Sequence, residues 1–321
     1  MIWRVLFWLS AAALAVPALT LTLARAFDTD NGSLIRIESF TPLALPLYAV
    51  LLVLLAAGAA LQQSERKPRL AAAVLALAGL AVHVWWFSPQ FVGTDPEPAQ
   101  GAERITVMNA NLFEGRAKAE EIMDAVRDND VDILVLEEIT PDLLAQLDGL
   151  GLAELLPERV GEPDYMVAGT MILANQPLTE HVRLRTTFQG WQATYDGLKV
   201  LGVHPVAPVD PDAWRADHAA ILRQAEADDA DLIVGDMNAT PDHDVMRTLD
   251  DAGFRDAGEV SNEGWQPTWP ANHVGILPLL PPLVRIDHVL IGNELASLGT
   301  HTVDIDGTDH LALVATVARR G

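Results

Sequence analysis

The chain has 321 residues, of which 50% are hydrophobic and none is cysteine, so disulfide frameworks and thiolate metal sites are excluded. Its formal net charge of −23 is divided unevenly, with 6 basic and 4 acidic residues up to residue 89 and 15 basic and 40 acidic residues after it. Such an acidic carboxyl-terminal part disfavours nucleic acid as a partner unless cations intervene, and its simplest interpretation is a solvated surface of the kind suited to a salty medium.

The first 88 residues are predicted to be a membrane anchor of three transmembrane helices. Apolar runs over about residues 5–26, 42–61 and 70–87 are each long enough to span a bilayer, and charged residues are rare within them. A secretory signal peptide is the alternative for the first run, but that run exceeds the usual length and two more runs follow it. Residues 89–103, rich in proline, glycine and acidic residues, are predicted to be a linker.

The charges between the apolar runs predict an orientation in the membrane. Arg66, Lys67 and Arg69 lie between the second and third runs, whereas acidic residues outnumber basic ones between the first and second. Cytoplasmic loops carry the excess of lysine and arginine. We therefore expect a multi-pass protein of a prokaryotic cell (plasma) membrane, with the lipid bilayer as partner, a cytoplasmic amino terminus and an extracytoplasmic domain after the third helix.

Residues 104–321 are predicted to form one α/β catalytic domain. Apolar runs typical of strands cover residues 105–109, 132–136, 166–173, 181–188, 191–195, 199–204, 231–236, 284–291 and 312–318. Runs with helical spacing cover residues 118–129, 141–150, 212–227 and 244–251. The alternation of the two kinds of run favours a sheet structure covered by helices.

Polar side chains adjoin six of these strand runs. The groups are Asn109 with Asn111, Glu137 with Glu138, His204 alone, Asp236 with Asn238, Asp287 with His288, and Asp309 with His310. One strand that ends in aspartate is common, but six such groups of oxygen and imidazole ligands, without sulfur, suit Mg²⁺, with Mn²⁺ as the alternative. Asp236 and Asn238 are two residues apart, and on a strand such residues point to the same face.

The ordered motifs NAN, LEE, VH, GDMNATP, RIDHV and TDH resemble the endonuclease/exonuclease/phosphatase superfamily, in a membrane-anchored bacterial form. This superfamily includes DNase I-like nucleases, sphingomyelinases and inositol polyphosphate 5-phosphatases, and the resemblance covers about residues 104–318. It implies a four-layered α/β/β/α sandwich and metal-dependent hydrolysis of a phosphoester bond. One departure is that Asn175 and Gln176 replace the basic residue often found before Pro177, which argues against a phosphate contact there.

The resemblance also implies the metal ligands. Glu138 would be the principal carboxylate, with Asn109 beside it, and Asn111 and Asp309 stand where the superfamily offers further metal contacts. Glu137 is interpreted as a residue behind the ligands or facing solvent.

The catalytic roles implied by the resemblance divide among five residues. Asp236 would orient or deprotonate the attacking water, and Asn238 would bind a phosphoryl oxygen. His310, held by Asp287, would stabilise the transition state or transfer a proton, and His204 would act on the opposite side of the phosphate. His288 follows Asp287 and is expected to point to the other side of the strand, outside the site. The histidines without a motif, His218 among them, are expected to have packing or surface roles.

These features predict a membrane-anchored, divalent-metal-dependent phosphoesterase that hydrolyses a phosphate ester or a pyrophosphate. A membrane lipid phosphate is the preferred substrate, because three spans would hold the domain close to the bilayer. An extracellular endonuclease would use the same residues and is the alternative enzyme. A catalytically silent membrane-binding module is the alternative of another class, and it is disfavoured because a silent copy has no reason to retain Glu138, Asp236 and His310.

The orientation can be tested with a reporter enzyme fused after Gly321. We expect the reporter to be active only in its extracytoplasmic form, since an odd number of spans moves the carboxyl terminus across the membrane. The same reporter fused after Arg66, between the second and third runs, serves as the cytoplasmic control. Cytoplasmic activity of the fusion after Gly321 would refute the model with three spans.

Overall fold

The structure is a computed structural model that describes residues 2–93, 96–271 and 281–321. Two compact units divide the chain: residues 2–89 together with 242–244 form the first, and residues 90–241 together with 245–321 form the second. Each unit has its own buried apolar core.

The first unit is helical. Its helices are α1 (Ile2–Ala26), α2 (Gly32–Glu38), α3 (Ala44–Leu61) and α4 (Arg66–Phe87), with 3-10 turns at Thr41–Leu43 and Gln63–Glu65. Among the described residues, three segments are long and apolar enough to cross a membrane: Ile2–Ala26, Thr41–Leu61 and Arg66–Gln90. In each of them no more than 28% of an apolar stretch of 18 residues is buried. Their apolar side chains are therefore mostly directed away from the protein. The short helix α2, which the sequence does not predict, begins at Asn31, whose side chain accepts from two backbone amides.

Three polar side chains meet inside the first unit. The Thr22 hydroxyl lies 2.8 Å from the Tyr48 hydroxyl and 3.0 Å from His83 Nε2. The three residues belong to α1, α3 and α4, and Tyr48 and His83 are buried. These hydrogen bonds tie the three long helices together, because a buried polar group is stable only when it has a partner.

The second unit contains two six-stranded sheets, and it confirms the predicted sandwich. The first sheet, in the order β11-β12-β1-β2-β4-β3, contains β1 (Ile105–Asn111), β2 (Ile133–Glu137), β3 (Glu158–Glu162), β4 (Thr170–Ala174), β11 (Leu295–Val303) and β12 (Ala312–Arg319). The second, in the order β5-β6-β7-β8-β10-β9, contains β5 (Leu178–Arg183), β6 (Trp191–Tyr195), β7 (Leu198–Val203), β8 (Leu232–Asp236), β9 (Arg255–Asp256) and β10 (Asp287–Ile291).

Apolar side chains of both sheets pack face to face, and helices cover the outer faces. Val107 and Val135 of the first sheet share one core cluster with Val200 and Val234 of the second. The helices are α5 (Ala119–Asp128), α6 (Pro141–Gly149), α7 (Leu152–Leu155), α8 (Pro211–Ala227), α9 (Asp244–Asp251) and α10 (Ala257–Val260). Helices α5 and α6 pack on the first sheet in a second cluster. Helix α8 lies on the second sheet, where Gln224 bonds Gln192 of β6.

Several strand predictions differ from the structure. Strand β4 begins at Thr170 and not at residue 166, because Met166 has a left-handed backbone (φ +60°) that a strand excludes. Strand β5 ends at Arg183 and does not reach residue 188. This strand is an exposed edge, so it lacks the apolar pattern that locates a buried strand. The edge strand β11 and the strand β3 are not predicted at all.

Part of the predicted linker belongs to the second unit. The backbone amide of Ala99 donates to Arg319 O at 2.9 Å, and that of Gly264 donates to Gln90 O at 2.8 Å. Pro98 forms an isolated bridge with Arg320. Ala99 and Pro98 thereby attach the segment to the end of β12, and Gln90 is attached to the loop after α10.

The strand registers bring the predicted polar groups to one end of the sandwich. In the parallel pair β1 and β2, Asn111 lies opposite Glu137. In the antiparallel pair β8 and β10, Asp236 lies opposite Asp287. Because parallel strands end at the same edge and antiparallel strands begin where their neighbours end, all these side chains gather at one edge of the two sheets.

Close approach of β7 to β8 requires glycine immediately before Asp236. Gly235 has φ +155°, and an ideal Cβ at this position would lie 1.9 Å from Val203 O. Any side chain here would displace a neighbouring strand. The glycine therefore sets the position of Asp236.

Replacing Gly235 by alanine is expected to destabilise the second unit by about 1–3 kcal/mol, because the added methyl group forces a backbone shift. The thermal unfolding midpoint of the detergent-solubilised full chain measures the change. Gly149→Ala is the matched control, since a Cβ at that position meets nothing within 4 Å. Equal midpoints for the two variants would contradict the close approach.

Candidate active site

A charged group of Asp236, Asp287 and His310 occupies the centre of the strand-end cluster. His310 Nδ1 lies 2.9 Å from Asp287 Oδ2, and His310 Nε2 lies 3.7 Å from Asp236 Oδ2. One ligand atom from each residue lies within 4.8 Å of the others, and all three residues are buried. The imidazole therefore stands between two carboxylates.

The electrostatics of this group favour a protonated His310. Burial alone lowers the pKa of His310, but the carboxylates of Asp287 and Asp236 outweigh burial and raise the pKa to about 10. The pKa of Asp287 is lowered, because the charge and hydrogen bond of His310 outweigh burial. Burial and the Asp287 charge raise the pKa of Asp236 to about 7, against the charge of His310. Asp236 is thus poised to exchange a proton near neutral pH.

Asn238 reaches the site through a turn. The strand ends at Asp236, and Asn238 has a left-handed backbone with φ +47°. The expectation that both residues share one face of a strand is therefore wrong in its geometry, although they are close in space. The backbone amide of Asn238 donates to Asp236 Oδ1 at 2.8 Å, and its side-chain amide donates to Pro205 O at 3.1 Å.

Glu138 and Asn111 form the next part of the site. Glu138 follows β2 with φ +56°, and its carboxylate accepts from the Glu114 amide at 2.7 Å and from Asn111 Nδ2 at 3.3 Å. The same Asn111 nitrogen lies 3.0 Å from Asp236 Oδ2. In this arrangement the Asn111 amide nitrogen donates to two carboxylates.

The donor atoms of this region fit a divalent cation. Within the described part of the chain, Asn109 Oδ1 and Asp309 Oδ1 are buried and accept no hydrogen bond. The Asn109 amide nitrogen is held by Asp287 Oδ1 at 3.2 Å, which leaves its oxygen available. These atoms and the Glu138 carboxylate are oxygen donors, the kind of ligand that Mg²⁺ and Mn²⁺ prefer.

His204 and Glu137 are both buried, and burial disfavours the charged form of each side chain. His204 Nε2 lies 3.8 Å from Asp236 Oδ2 and 4.0 Å from Glu138 Oε1. Burial and the charge of His310 lower the pKa of His204 to about 4, so its ring is neutral at pH 7. Glu137 has no exposed surface and is not solvent-facing. Burial, followed by the charges of Asp287 and Asp236, raises its pKa well above the usual value.

Two further residues contribute to the site. Trp269 Nε1 donates to Asp309 Oδ2 at 3.0 Å, and this contact fixes one oxygen of the carboxylate and leaves the other free. The Thr308 hydroxyl donates to Asn111 O at 2.8 Å and so ties the TDH segment to the end of β1. Thr308 is the first residue of the TDH motif, so the sequence could have identified it as part of the site. Trp269 lies in the segment EGWQPTWP, rich in tryptophan and proline, which belongs to none of the recognised motifs.

Comparisons with known proteins agree with this fold. Residues 108–310 match the family model described as Endonuclease/Exonuclease/phosphatase family. A family protein from Bacteroides thetaiotaomicron is 13% identical, with a TM-score of 0.53 over 69% of this chain and 100% of that one. The Neisseria 3′ phosphatase NExo, bound to a product DNA hairpin, is 18% identical, with a TM-score of 0.55 over 66% of this chain and 98% of that one.

A third similar structure is TDP2 from D. rerio, complexed with a single-strand DNA product. It is 15% identical, with a TM-score of 0.53 over 67% of this chain and 99% of that one. No curated protein matches the chain in sequence. At these low identities the solved structures show that this chain shares their fold. Membership of the family is shown by the family model, which matches residues 108–310.

Replacing Asp287 by asparagine is expected to lower the pKa of His310 by about 1–3 units, because an adjacent carboxylate stabilises the imidazolium by that amount. NMR titration of the His310 ring in metal-free protein measures this pKa in the variant and in the wild type. Since the folded pKa of about 10 lies above the unfolded value of 6.5, the pair stabilises the fold below pH 6.5 and loses this contribution as the pH rises through about 10. Asp142→Asn on the exposed face of α6 is the control, and an equal titration of both variants would contradict the ion pair.

Proposed function

Because the chain belongs to the endonuclease/exonuclease/phosphatase family, whose members are hydrolases of phosphoester bonds, we propose that it is a membrane-anchored, divalent-metal-dependent phosphoesterase. Its preferred substrate is a membrane lipid phosphate, either an ester or a pyrophosphate. The catalytic domain is extracytoplasmic. The observation that carries the proposal is the placement of His310 between the carboxylates of Asp287 and Asp236, at 2.9 Å and 3.7 Å.

Each site residue has a separate role when water attacks the phosphorus atom. Asp236 Oδ2 holds the attacking water and accepts its proton, which the pKa of about 7 permits at neutral pH. Asn238 is positioned to donate to a phosphoryl oxygen. His204 Nε2 faces the same space as a neutral donor. His310 contributes positive charge opposite the charge that develops on the phosphoryl oxygens, and Asp287 keeps it protonated.

A divalent cation would bind the oxygen atoms of Glu138, Asn109 and Asp309. When bound, it supplies charge neutralisation on the non-bridging phosphate oxygens. The positive charge of the cation would also offset the electrostatic repulsion between the acidic domain and an anionic substrate. Mg²⁺ is the proposed metal, and Mn²⁺ has the same ligand preferences.

Apolar residues near the site support a lipid substrate. Tyr165, Met166 and Val209 are 69%, 64% and 74% exposed, on the loops before β4 and after β7. The first loop continues into Val167, whose backbone adjoins the His204 ring, and the second begins at His204 itself. Exposed apolar side chains beside a phosphate site suit a substrate with an apolar part.

An extracellular endonuclease is the second candidate. The DNA products in the structures of NExo and TDP2 favour it. The 40 acidic and 15 basic residues after residue 89 disfavour it, because nucleic-acid binding depends on lysine and arginine contacts to phosphate.

The activity is tested with the purified full chain in detergent or liposomes. We expect release of phosphate or a phosphorylated head group from a lipid substrate in Mg²⁺, and its loss in chelator. Asp236→Ala and His310→Ala are each expected to lower kcat by about 10²-fold or more, since general acid–base groups contribute that much. Asp212→Ala on α8 is an acidic surface control, and activity that survives both site substitutions refutes the assignment.

The substrate class is tested in the same preparation with three substrates: a lipid phosphate in liposomes, a water-soluble phosphate ester and plasmid DNA. The double substitution Tyr165→Ser with Met166→Ser is expected to lower kcat/KM for the lipid about tenfold while the soluble ester is unaffected, because only the lipid has an apolar part to contact. Val182→Ser, an exposed valine of β5, is the matched control. Rapid metal-dependent nicking of plasmid with slow lipid turnover would instead favour the endonuclease.

A further inference from the structure

Three consecutive backbone carbonyls after Asp236 each lie within hydrogen-bonding distance of a ring nitrogen on a buried side chain. The pairs are His218 Nε2 with Met237 O at 3.0 Å, Trp214 Nε1 with Asn238 O at 3.1 Å, and His288 Nε2 with Ala239 O at 3.0 Å. A carbonyl oxygen only accepts, so each ring nitrogen carries the proton. All three rings are at least 97% buried.

Two of the three donors belong to one face of α8. Trp214, Asp217 and His218 stand at positions i, i+3 and i+4, which lie next to one another on a helix. The rings of Trp214 and His218 are in edge contact, with centroids 5.0 Å apart. Each ring thereby restricts the other, and their N–H groups point at neighbouring carbonyls of the turn.

Asp217, the third residue of this face, is linked to the turn through Val206 and Pro205. Asp217 Oδ2 accepts from the Val206 amide at 3.1 Å, while Oδ1 accepts from the Thr187 amide at 2.9 Å. Val206 follows Pro205, whose carbonyl accepts from the side chain of Asn238. Helix α8 therefore fixes both the backbone of Asn238 and the acceptor of its side chain.

His288 holds the turn from the opposite side. It follows Asp287 on β10, and its Nδ1 lies 2.7 Å from Asp256 Oδ2. The ring is thus fixed at both nitrogens, between Asp256 and the Ala239 carbonyl. In addition, the amide of Met237 donates to Ile286 O at 2.8 Å, next to Asp287. The turn is bound to β10 as well as to α8.

We infer that Trp214, His218 and His288 are positioning residues that hold Asn238 in its left-handed conformation for contact with the phosphoryl group. A non-glycine residue in this region persists only when its surroundings maintain it. Three side-chain donors on consecutive carbonyls supply that constraint, so the Asn238 amide is in place before substrate binds. The inference rests on the proposed function for the role of Asn238 in catalysis, but the conformational role is independent of it.

The test removes one N–H donor at a time from the full-length protein. Trp214→Phe and His218→Phe are each expected to lower kcat about 10- to 100-fold with a change in KM below about threefold, the effect of a displaced group that acts on the reacting centre. His218→Gln keeps an amide donor at the position of Nε2 and is expected to restore most of kcat. Trp191→Phe, which removes an indole donor to the Gln189 side chain, is the matched control and leaves kcat unchanged.

A double-mutant cycle separates positioning from general stability. In an Asn238→Ala background, Trp214→Phe is expected to have no further effect on kcat, because the group it positions is already absent. Full additivity of the two losses would overturn the inference. Thermal unfolding midpoints of the variants are compared with that of Trp191→Phe, so that a loss of fold is recognised.

Amide hydrogen exchange tests the conformational role without any turnover. In metal-free protein, the Met237 and Asn238 amides of Trp214→Phe and His218→Phe are expected to exchange about tenfold faster or more than in the wild type, because local opening of the turn becomes easier. Unchanged exchange would overturn the inference. A wild-type chain that hydrolyses none of the substrates would overturn the proposed function, while the exchange result still decides whether the three rings hold the turn.

Discussion

The site depends on one constraint: negative charge is concentrated between the ends of the two packed sheets and must be offset by protons or cations. Glu138, Asp236, Asp287 and Asp309 stand within one cluster, with Glu137 behind them. Burying charges without partners costs several kcal/mol each, so the cluster is stable only if protons or cations offset it. His310 supplies one positive charge, and burial raises the pKa of Glu137, which disfavours a further negative charge there. The oxygen donors that accept no hydrogen bond mark where a divalent cation would offset the remainder.

The backbone carries the second constraint, because two site residues have left-handed conformations that are uncommon for residues other than glycine. Glu138 and Asn238 both have positive φ angles, and Gly235 allows β8 to approach β7. Each conformation is held by neighbours, namely the Glu114 amide for the Glu138 carboxylate and three ring donors for the carbonyls around Asn238. Strain of this kind is typical of preorganised sites, since the fold and not the substrate then orders the groups.

Prediction from sequence succeeded where a local pattern determines the structure. Buried strands such as β2 and β8 are apolar runs bounded by polar residues, so their positions and the polar groups after them were predicted within a residue or two. Edge strands were missed or shifted, because β5 and β11 lie on sheet edges, where a strand lacks the continuous apolar run of a buried strand. His218 was assigned a packing or surface role and His288 was left outside the site, since only their contacts with the turn after Asp236 distinguish them from core residues.

The sequence by itself determined the family, the sandwich fold, three segments apolar enough to span a membrane and the set of polar residues at the strand ends. These follow from apolar periodicity and ordered motifs, which are properties of neighbouring residues along the chain. Only the tertiary structure decided which nitrogen faces which carboxylate, that Asn111 donates to Glu138 and Asp236, and that Asn238 arrives through a left-handed turn. The physical reason is that pKa shifts and hydrogen bonds depend on distances between residues far apart in sequence, and these distances exist only after the two sheets have packed.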